Sequence, residues 1–144
     1  MNQAEIREFF QKDTLAELLG IEILEIGPGY AKTSLQVGNN LLNALGMTHG
    51  GAVLALVDFA LAVSSNSHGI AAVALNVNIN YLRPTYPGDT LYAVSVEEHH
   101  TTRTGVYRIT VVDQKEQKIA VATGTAFRTG HSITSAPTIR DNQS

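Results

Sequence analysis

The chain has 144 residues, of which 44% are hydrophobic, and a formal net charge of -3. This length suits a single domain with its own core, and the absence of cysteine excludes disulfides, thiolate zinc sites and a cysteine nucleophile. The slightly acidic charge balance argues against nucleic acid or an anionic membrane as a partner. Charged residues make up 16% of the chain, below the roughly 25% of ordinary soluble domains. This low fraction favours a homo-oligomer that covers part of its surface.

The amino-terminal part of the chain predicts two short helices and a hairpin. Apolar residues recur at helical spacing in the opening segment, and Thr14–Glu17 has the Ser/Thr-x-x-Glu form of a capping box that begins a second helix. Ile21–Ile26 and the alternating Tyr30–Val37 predict two strands, joined by a turn at Gly27–Gly29. Because no basic segment followed by an apolar one opens the chain, we expect no secretory signal and a cytoplasmic protein.

One long helix is predicted from about His49 to Ser67, where Ala, Leu and Val dominate without the period-2 alternation of a strand. Gly69 follows as its carboxyl-terminal stop. The segment is apolar nearly all round, which is typical of a helix enclosed by protein. Its longest apolar run, Ala52–Val63, is interrupted by Asp58 and is shorter than the roughly 20 residues that a membrane span needs.

Four strand-like runs follow the long helix: Ile70–Leu82, Thr90–Glu97, Arg103–Val112 and Lys118–Arg128. In the last run the small side chains share one face: Ala120, Ala122, Gly124 and Ala126. A shallow face lets a helix lie close to the sheet. We therefore predict an α+β fold, in which a curved antiparallel sheet of about six strands wraps around one long central helix.

Residues 15–130 are expected to form this domain, preceded by an N-terminal helical segment at residues 1–14. The remaining segment, 131–144, is rich in Ser, Thr, Pro and Asn and has no apolar periodicity. We expect it to be a loosely ordered C-terminal tail.

Asp58 is the one charged residue in the apolar run of the long helix. A buried carboxylate is unfavourable unless it has a partner, water or a chemical role. Two interpretations stay open: a structural carboxylate bonded to a loop or to a subunit contact, and a catalytic group.

His49, Gly50 and Gly51 stand at the entrance of the long helix. The free amides of a first helical turn, aided by the helix dipole, suit a developing oxyanion. A glycine pair is also typical of a tight turn with positive φ, and a histidine there of a helix cap. Asp58 follows Gly50 by eight residues, or roughly 12 Å along a helix axis. The two groups therefore meet only if a second copy of the chain brings its own helix alongside, antiparallel.

Basic side chains are candidates for contacts with phosphate groups: Arg83, Arg103, Arg108 and Lys115. Solvated surface charge is the simpler interpretation of each one alone. His99 and His100 are adjacent, but no further His or carboxylate follows at ligand spacing, so we predict no metal site.

Three segments together resemble a known family: Asn43–Gly51, Leu56–Asp58 and Ile79–Pro84. They are similar to segments of the hotdog-fold acyl-CoA thioesterases of the phenylacetyl-CoA thioesterase type. The order of elements matches from about Leu15 to Arg128. His-Gly-Gly, followed by a helix aspartate nine residues after the histidine, is characteristic of that branch.

The resemblance implies a thioester hydrolase that acts on a coenzyme A conjugate, without cofactor or metal, as a homodimer or a homotetramer built from two dimers. Asp58 would be the nucleophile or the general base, and the Gly50 amide of the other subunit would polarise the thioester carbonyl. Asn43 and His49 match loop positions that help orient the thioester and the attacking water. The expected substrate-binding residues are Gly51, Asn66, His68, Arg83 and Arg103.

Two other functions stay open. A hydratase or dehydratase of the same fold would use a histidine and a carboxylate to move protons on an acyl thioester, and a non-catalytic acyl-CoA-binding protein would only hold the conjugate. The acyl group is open as well, because phenylacetyl-like, hydroxylated aromatic and medium-chain fatty acyl groups all suit the pattern.

Overall fold

The computed structural model describes residues 1–135 as three α-helices and six β-strands. The helices are α1 (Gln3–Phe10), α2 (Thr14–Leu19) and α3 (Gly50–Asn66), with a short 3-10 turn at Asn39–Leu41. The strands are β1 (Glu22–Gly27), β2 (Tyr30–Gln36), β3 (Ile70–Tyr81), β4 (Thr90–His100), β5 (Thr104–Val112) and β6 (Lys118–Ser132). Within this part of the chain, no helix combines the length and apolar character that a membrane crossing requires.

The strands form one antiparallel sheet in the order β1-β2-β4-β5-β6-β3. Helix α3 contacts all six strands, so the sheet wraps around it as predicted. The strand that follows α3 does not pair with β2 or β4. It joins the far side of the sheet, where β3 pairs with β6 and forms an edge.

The small-residue face of β6 allows α3 to lie close to the sheet. A Cβ placed on Gly124 would lie 2.7 Å from Cδ2 of Leu61, a residue of α3 that is fully buried. Ala122 and Ala126, on the same face of β6, are also buried. The prediction that this face is shallow enough for a helix is therefore confirmed.

The first helix packs onto the same core. Asn2 and Glu5 form a reciprocal capping box at its start, in which each side chain accepts the backbone N–H of the other residue. Ile6 and Phe10 are buried, and the ring of Phe10 meets that of Phe59 on α3 edge to face, with centroids 5.8 Å apart. The segment before residue 14 thus contributes apolar surface to the core.

The capping box predicted at Thr14–Glu17 is wrong. Asp13 is the N-cap of α2, and its side chain accepts the N–H of Ala16 at 3.0 Å. Thr14 is already the first helical residue. A carboxylate at the preceding position reaches the third amide of the helix and is as good a cap as the hydroxyl of a threonine.

The carboxyl-terminal end of α3 agrees with the prediction to within one residue, whereas the start of the predicted tail does not. Helix α3 ends at Asn66, and Gly69 adopts a left-handed φ of 84° where the chain turns into β3. Strand β6 continues to Ser132, and Ile133 is 3% exposed. The first residues of the predicted tail are therefore packed, because Ile133 supplies an apolar side chain to the core. Residues 136–144 of that tail lie outside the described residues.

One stripe of α3 is left open by the sheet and by the first two helices. Gly51, Leu54 and Asp58 are exposed along it, about one helical turn apart. The prediction that protein encloses the helix all round is wrong for the single chain, because the strands cover only its other sides. In one copy of the chain, Asp58 is accordingly an exposed residue whose carboxylate is only partly covered by neighbouring atoms.

Candidate active site

His49 caps the amino terminus of α3. Its backbone is extended, at φ -61° and ψ 132°, and its Nδ1 accepts the N–H of Gly51 at 2.8 Å. Its own backbone N–H donates to the carbonyl of Leu41 at 2.7 Å, which fixes the loop that leads into the helix. In a neutral imidazole an accepting Nδ1 places the proton on Nε2. His49 therefore presents an N–H donor beside the start of α3.

Gly50 is the first residue of α3, and its N–H has no hydrogen-bond partner within residues 1–135. Its carbonyl oxygen accepts the hydroxyl of Tyr81 at 2.9 Å. A Cβ on Gly50 would lie 3.3 Å from the Tyr81 ring, so glycine permits this close approach. The unpartnered amide sits at the positive end of a helix dipole, which favours a developing negative charge.

The alternative of a tight turn with positive φ does not apply to the glycine pair. Neither Gly50 nor Gly51 is among the glycines with a left-handed backbone. At Gly51 the reason for glycine is space, since a Cβ would lie 3.0 Å from Nδ1 of His49. Larger side chains at this position would displace the histidine cap.

Asn43 organises the loop before α3. Its Oδ1 accepts the N–H groups of Leu45 and Met47 at 2.9 and 3.1 Å, and its backbone N–H donates to the carbonyl of Met47 at 2.7 Å. The Nδ2 group has no partner in the described part of the chain. Asn43 thus holds the loop with its oxygen, while its two side-chain N–H donors have no partner within residues 1–135.

A cleft of about 340 Å³ brings several of these groups together. Asn43, Gly50 and Arg83 line it, as the sequence predicted for a common site, and Tyr81 lines it as well. Sequence analysis did not single out Tyr81, although it lies within the Ile79–Pro84 segment that carries the family resemblance. Its contact with Gly50 needs the β3 edge to pass the start of α3, which one sequence does not reveal.

Asp58 lies two turns further along α3, about 12 Å from Gly50 on the helix axis. The structure therefore does not bring it into the 340 Å³ cleft of its own chain. The pKa of Asp58 is raised above its ordinary value, first by partial burial among neighbouring atoms and second by the negative charge of Asp13. A raised pKa makes the ionised carboxylate more basic than usual.

Asn66 was predicted to bind substrate, but its amide is engaged inside the chain. It is 5% exposed, its Nδ2 donates to the carbonyls of Ala62 and Ala72, and its Oδ1 accepts the N–H of Ala72. These bonds tie the end of α3 to β3. Since both ends of the amide are used, Asn66 has a structural role and is not carried into the proposed site.

His68 lies beyond the opposite end of α3 from Gly50, where it contacts Glu97 at 2.6 Å. Burial alone would raise the pKa of Glu97, but the hydrogen bond and charge of His68, together with His100 and Tyr107, hold it below its ordinary value. Burial and the charge of Glu97 raise the pKa of Tyr107 to about 12. This cluster accounts for His68 within a single chain.

Arg103 also lies far from Gly50 of its own chain. It stands in the turn between β4 and β5, beside Thr104, which pairs with Phe127 of β6. Tyr81, which contacts Gly50, pairs with Ala120 of β6. Seven residues of a strand separate Phe127 from Ala120, or roughly 23 Å. Arg103 and Gly50 are therefore at opposite ends of the sheet.

Residues 45–120, slightly more than half of the chain, match the family model of the thioesterase superfamily. The chain belongs to the thioesterase superfamily. This thioesterase is 38% identical over 125 residues to the acyl-coenzyme A thioesterase PaaI of Escherichia coli K12. The aligned region covers 87% of this chain and 89% of that protein. The family resemblance predicted from the sequence is confirmed.

Solved structures agree with this assignment. The PaaI protein of E. coli, from its phenylacetic acid degradation operon, superposes with a TM-score of 0.85 at 37% identity, over 87% of this chain and 91% of that one. A thioesterase protein of Streptococcus pneumoniae, solved with coenzyme A, superposes with a TM-score of 0.81 at 28% identity. The match covers 87% of this chain and 98% of that one. The Streptococcus mutans protein smu.793, solved with acetyl-CoA, superposes with a TM-score of 0.75 at 34% identity. The match covers 78% of this chain and 90% of that one. The thioesterase therefore has the predicted hotdog fold and is a thioester hydrolase.

Proposed function

We propose that this thioesterase hydrolyses the thioester of an acyl-CoA, with an aryl-acetyl or medium-chain acyl group, at a site shared by two subunits. The single observation that carries the proposal is the unpartnered N–H of Gly50 at the start of α3, in a cleft that also holds Asn43 and Arg83. The names of the similar proteins support the substrate class, since one is an acyl-coenzyme A thioesterase and two were solved with coenzyme A or acetyl-CoA.

The Gly50 amide would act on the thioester carbonyl. As water or a carboxylate attacks the carbonyl carbon, negative charge develops on its oxygen, and a fixed N–H at a helix start stabilises that charge without having to reorganise. Removing one such donor typically lowers the rate by about 10²–10³. His49 and Asn43 supply further N–H donors beside Gly50 for orienting the thioester and the attacking water.

Asp58 of the second subunit would supply the base or the nucleophile. As a general base it takes a proton from water, and the resulting hydroxide adds to the carbonyl carbon. As a nucleophile it forms an acyl anhydride that water then hydrolyses. In both routes the carbon–sulfur bond breaks and coenzyme A leaves as its thiol. Thioesters are sufficiently activated for these groups to complete the reaction without a cofactor.

Two exposed features support a two-fold dimer. The open stripe of α3 carries Leu54 between Gly51 and Asp58, so an antiparallel partner helix that crosses near Leu54 would set Asp58 of each copy opposite Gly50 of the other. Strand β3 is an edge of the sheet, with Val73 and Leu75 exposed at 56% and 62%. An unpaired apolar edge is a template for pairing with another strand.

Antiparallel pairing of two β3 edges would also explain the distant basic residues. It would place the His68 and Arg103 end of one copy at the Gly50 end of the other, because the two ends of β3 exchange places across a two-fold axis. Arg83 lines the cleft of its own chain. The phosphates of coenzyme A would then meet cations from both subunits, and two such dimers would form a tetramer.

The test is hydrolysis of a panel of acyl-CoAs, comprising phenylacetyl-CoA, a hydroxybenzoyl-CoA and hexanoyl-CoA, with free thiol as the readout. We expect thiol release by the wild type and its loss in Asp58→Asn, because an amide of nearly the same shape is neither base nor nucleophile. Glu98→Gln, which removes another exposed carboxylate, is the matched control and should keep wild-type turnover. Binding of acyl-CoA without thiol release would indicate an acyl-CoA-binding protein, and thiol release by Asp58→Asn would remove Asp58 from the site.

A further inference from the structure

The turn of α3 that carries Asp58 packs against the start of α2. Asp58 and Asp13, the N-cap of α2, line the same small cavity, together with Ala16 and Ala55. Two acidic residues therefore line the same small cavity. The proposed function uses only one of them.

Asp13 is held in place by the helix that it caps. Its Oδ1 accepts the N–H of Ala16 at 3.0 Å, and its backbone carbonyl accepts the N–H of Glu17 at 3.1 Å. A side chain bound at a helix start has lost its rotational freedom, and the helix dipole favours a negative charge at that position. Asp13 is consequently unable to turn away from Asp58 without breaking the cap.

No cation shares this cavity within the described residues. Asp13 and Asp58 are its ionisable lining groups. Arg7, Glu17 and Glu22 line a neighbouring cleft of about 490 Å³, which Asp13 also lines, and the Arg7 guanidinium donates to the backbone carbonyl of Ile23. The charge that acts on Asp58 from the packed helices is therefore the negative charge of Asp13.

We propose that Asp13 is a positioning residue for the thioesterase reaction, which holds a second negative charge against Asp58. This inference rests on the proposed function, since it requires Asp58 to act on the thioester. The charge of Asp13 is the second cause, after partial burial, of the raised pKa of Asp58. A carboxylate made more basic in this way is a better base or nucleophile in its ionised form.

Asp13→Asn separates the charge from the cap, because asparagine caps a helix about as well as aspartate does. We expect this variant to keep the melting temperature and the KM of the wild type. Without the second charge the pKa of Asp58 falls, so the acidic limb of the kcat/KM profile moves to lower pH, and kcat on the neutral plateau decreases. Asp13→Ser, which also keeps a capping side chain, should move the limb in the same direction.

Comparison of Asp13→Ala with Asp13→Asn isolates the contribution of the helix cap. This variant loses both the cap and the charge, so it should show the same shift of the acidic limb together with a lower melting temperature. A fall in melting temperature without any shift of the limb would assign Asp13 to capping alone and overturn the inference.

Ionic strength gives an independent readout of the same interaction. Raising the salt from about 0.05 to about 0.5 M shortens the screening length several-fold and should move the acidic limb of the wild type to lower pH. The limb of Asp13→Asn should move less. Equal salt shifts in the two proteins would contradict a charge interaction between Asp13 and Asp58.

The outcomes also separate this inference from the proposed function. An unshifted acidic limb in both Asp13→Asn and Asp13→Ser, with Asp58→Asn inactive, overturns the role of Asp13 and leaves Asp58 in the site. Hydrolysis by Asp58→Asn overturns the proposed function itself, whatever the Asp13 variants do.

Discussion

The hydroxyl of Tyr81 on β3 donates to the carbonyl oxygen of Gly50 at 2.9 Å. This bond joins the edge of the sheet to the first residue of α3, and the Gly50 N–H that we place at the thioester carbonyl belongs to that same residue. The position of the amide is thus fixed from outside the helix as well as by the His49 cap.

Tyr81→Phe should weaken hydrolysis while leaving the fold intact. Loss of the hydroxyl frees the Gly50 carbonyl, and misplacement of the adjacent amide lowers kcat by roughly two- to tenfold, with a change in unfolding free energy below about 1.5 kcal/mol. Steady-state kinetics and denaturant unfolding measure the two effects. Tyr86→Phe is the control, because Tyr86 is also about half exposed and its hydroxyl has no hydrogen bond within residues 1–135. Equal kinetics in the two variants would show that the Tyr81 bond does not position the amide.

Complementation between two inactive chains tests the shared site. Asp58→Asn lacks the carboxylate, and Gly50→Pro lacks the backbone N–H, so each variant should be inactive alone. A mixed dimer has one site with both defects and one with neither. Random exchange makes half of the dimers mixed, so activity should recover to about a quarter of wild type. No recovery between two folded, exchanging variants would mean that both groups act within one chain or that one is not in the site.

The geometry favours proline at position 50 for that experiment. Gly50 is the first helical residue, where proline is tolerated. His49 before it is extended at ψ 132°, the backbone that a residue preceding proline prefers. The new ring would approach Tyr81, whose side chain is 51% exposed and has room to shift. Circular dichroism and sedimentation check that this variant folds and associates before the mixture is assayed.

Glu97 should make stability fall in acid. Burial alone would raise its pKa, but the hydrogen bond and charge of His68, with His100, give a net depression. A carboxylate with a lowered folded-state pKa stabilises the fold above the ordinary value near 4.5, and this contribution disappears as the pH drops through the folded-state pKa. Glu97→Gln should therefore be less stable than wild type at pH 6, and the difference should narrow towards pH 3. Urea unfolding of both proteins at several pH values measures this difference in unfolding free energy.

Glu98→Gln is the neighbouring control for that titration. Glu98 is 46% exposed and pairs with Arg108 at 3.2 Å, and exposed ion pairs contribute at most about 1 kcal/mol. The free energy of unfolding of Glu98→Gln should therefore stay close to that of the wild type at every pH. If Glu97→Gln behaves in the same way, the cluster around Glu97 does not couple protonation to folding.

Gly124→Ala should destabilise the fold without touching the site. The added methyl would lie 2.7 Å from Cδ2 of Leu61, and overpacking of this kind typically destabilises by about 1–3 kcal/mol. Gly27→Ala, where the Cβ meets its nearest atom at an ordinary 3.7 Å, should be near neutral. Thermal unfolding compares the two, and similar melting temperatures would show that β6 and α3 can separate at little cost.

Local patterns in the sequence account for most of the fold. The run of small residues around Gly124 predicted the close packing of α3, and the apolar segment that follows His49 predicted α3 itself. The start of α2 was missed because Thr14 and Asp13 both suit a cap, and only the backbone geometry decides which of the two acts as one. The burial of Ile133 was missed because a single apolar residue has no periodicity.

The site was predictable only in part, for a different physical reason. Asn43, Gly50 and Arg83 come together as expected, since they belong to segments that the motif links. The bonds of Asn66 within the chain were not foreseen, because a buried amide bonded within the chain and a ligand-binding amide look the same in a sequence. The proximity of Tyr81 to Gly50 and of Asp13 to Asp58 was missed, because each pair joins elements far apart in the chain.

Under the proposed function, the position of Asp58 and Gly50 on the same helix limits how α3 can change in evolution. Insertion of one residue between them would rotate one group by about 100° around the axis relative to the other and move it by about 1.5 Å. With two-fold symmetry the same error would occur in both sites at once, and no compensating change in a separate chain is available. Under the proposed function, substitutions that keep the helix and its core contacts preserve this spacing, whereas insertions and deletions between residues 50 and 58 change it.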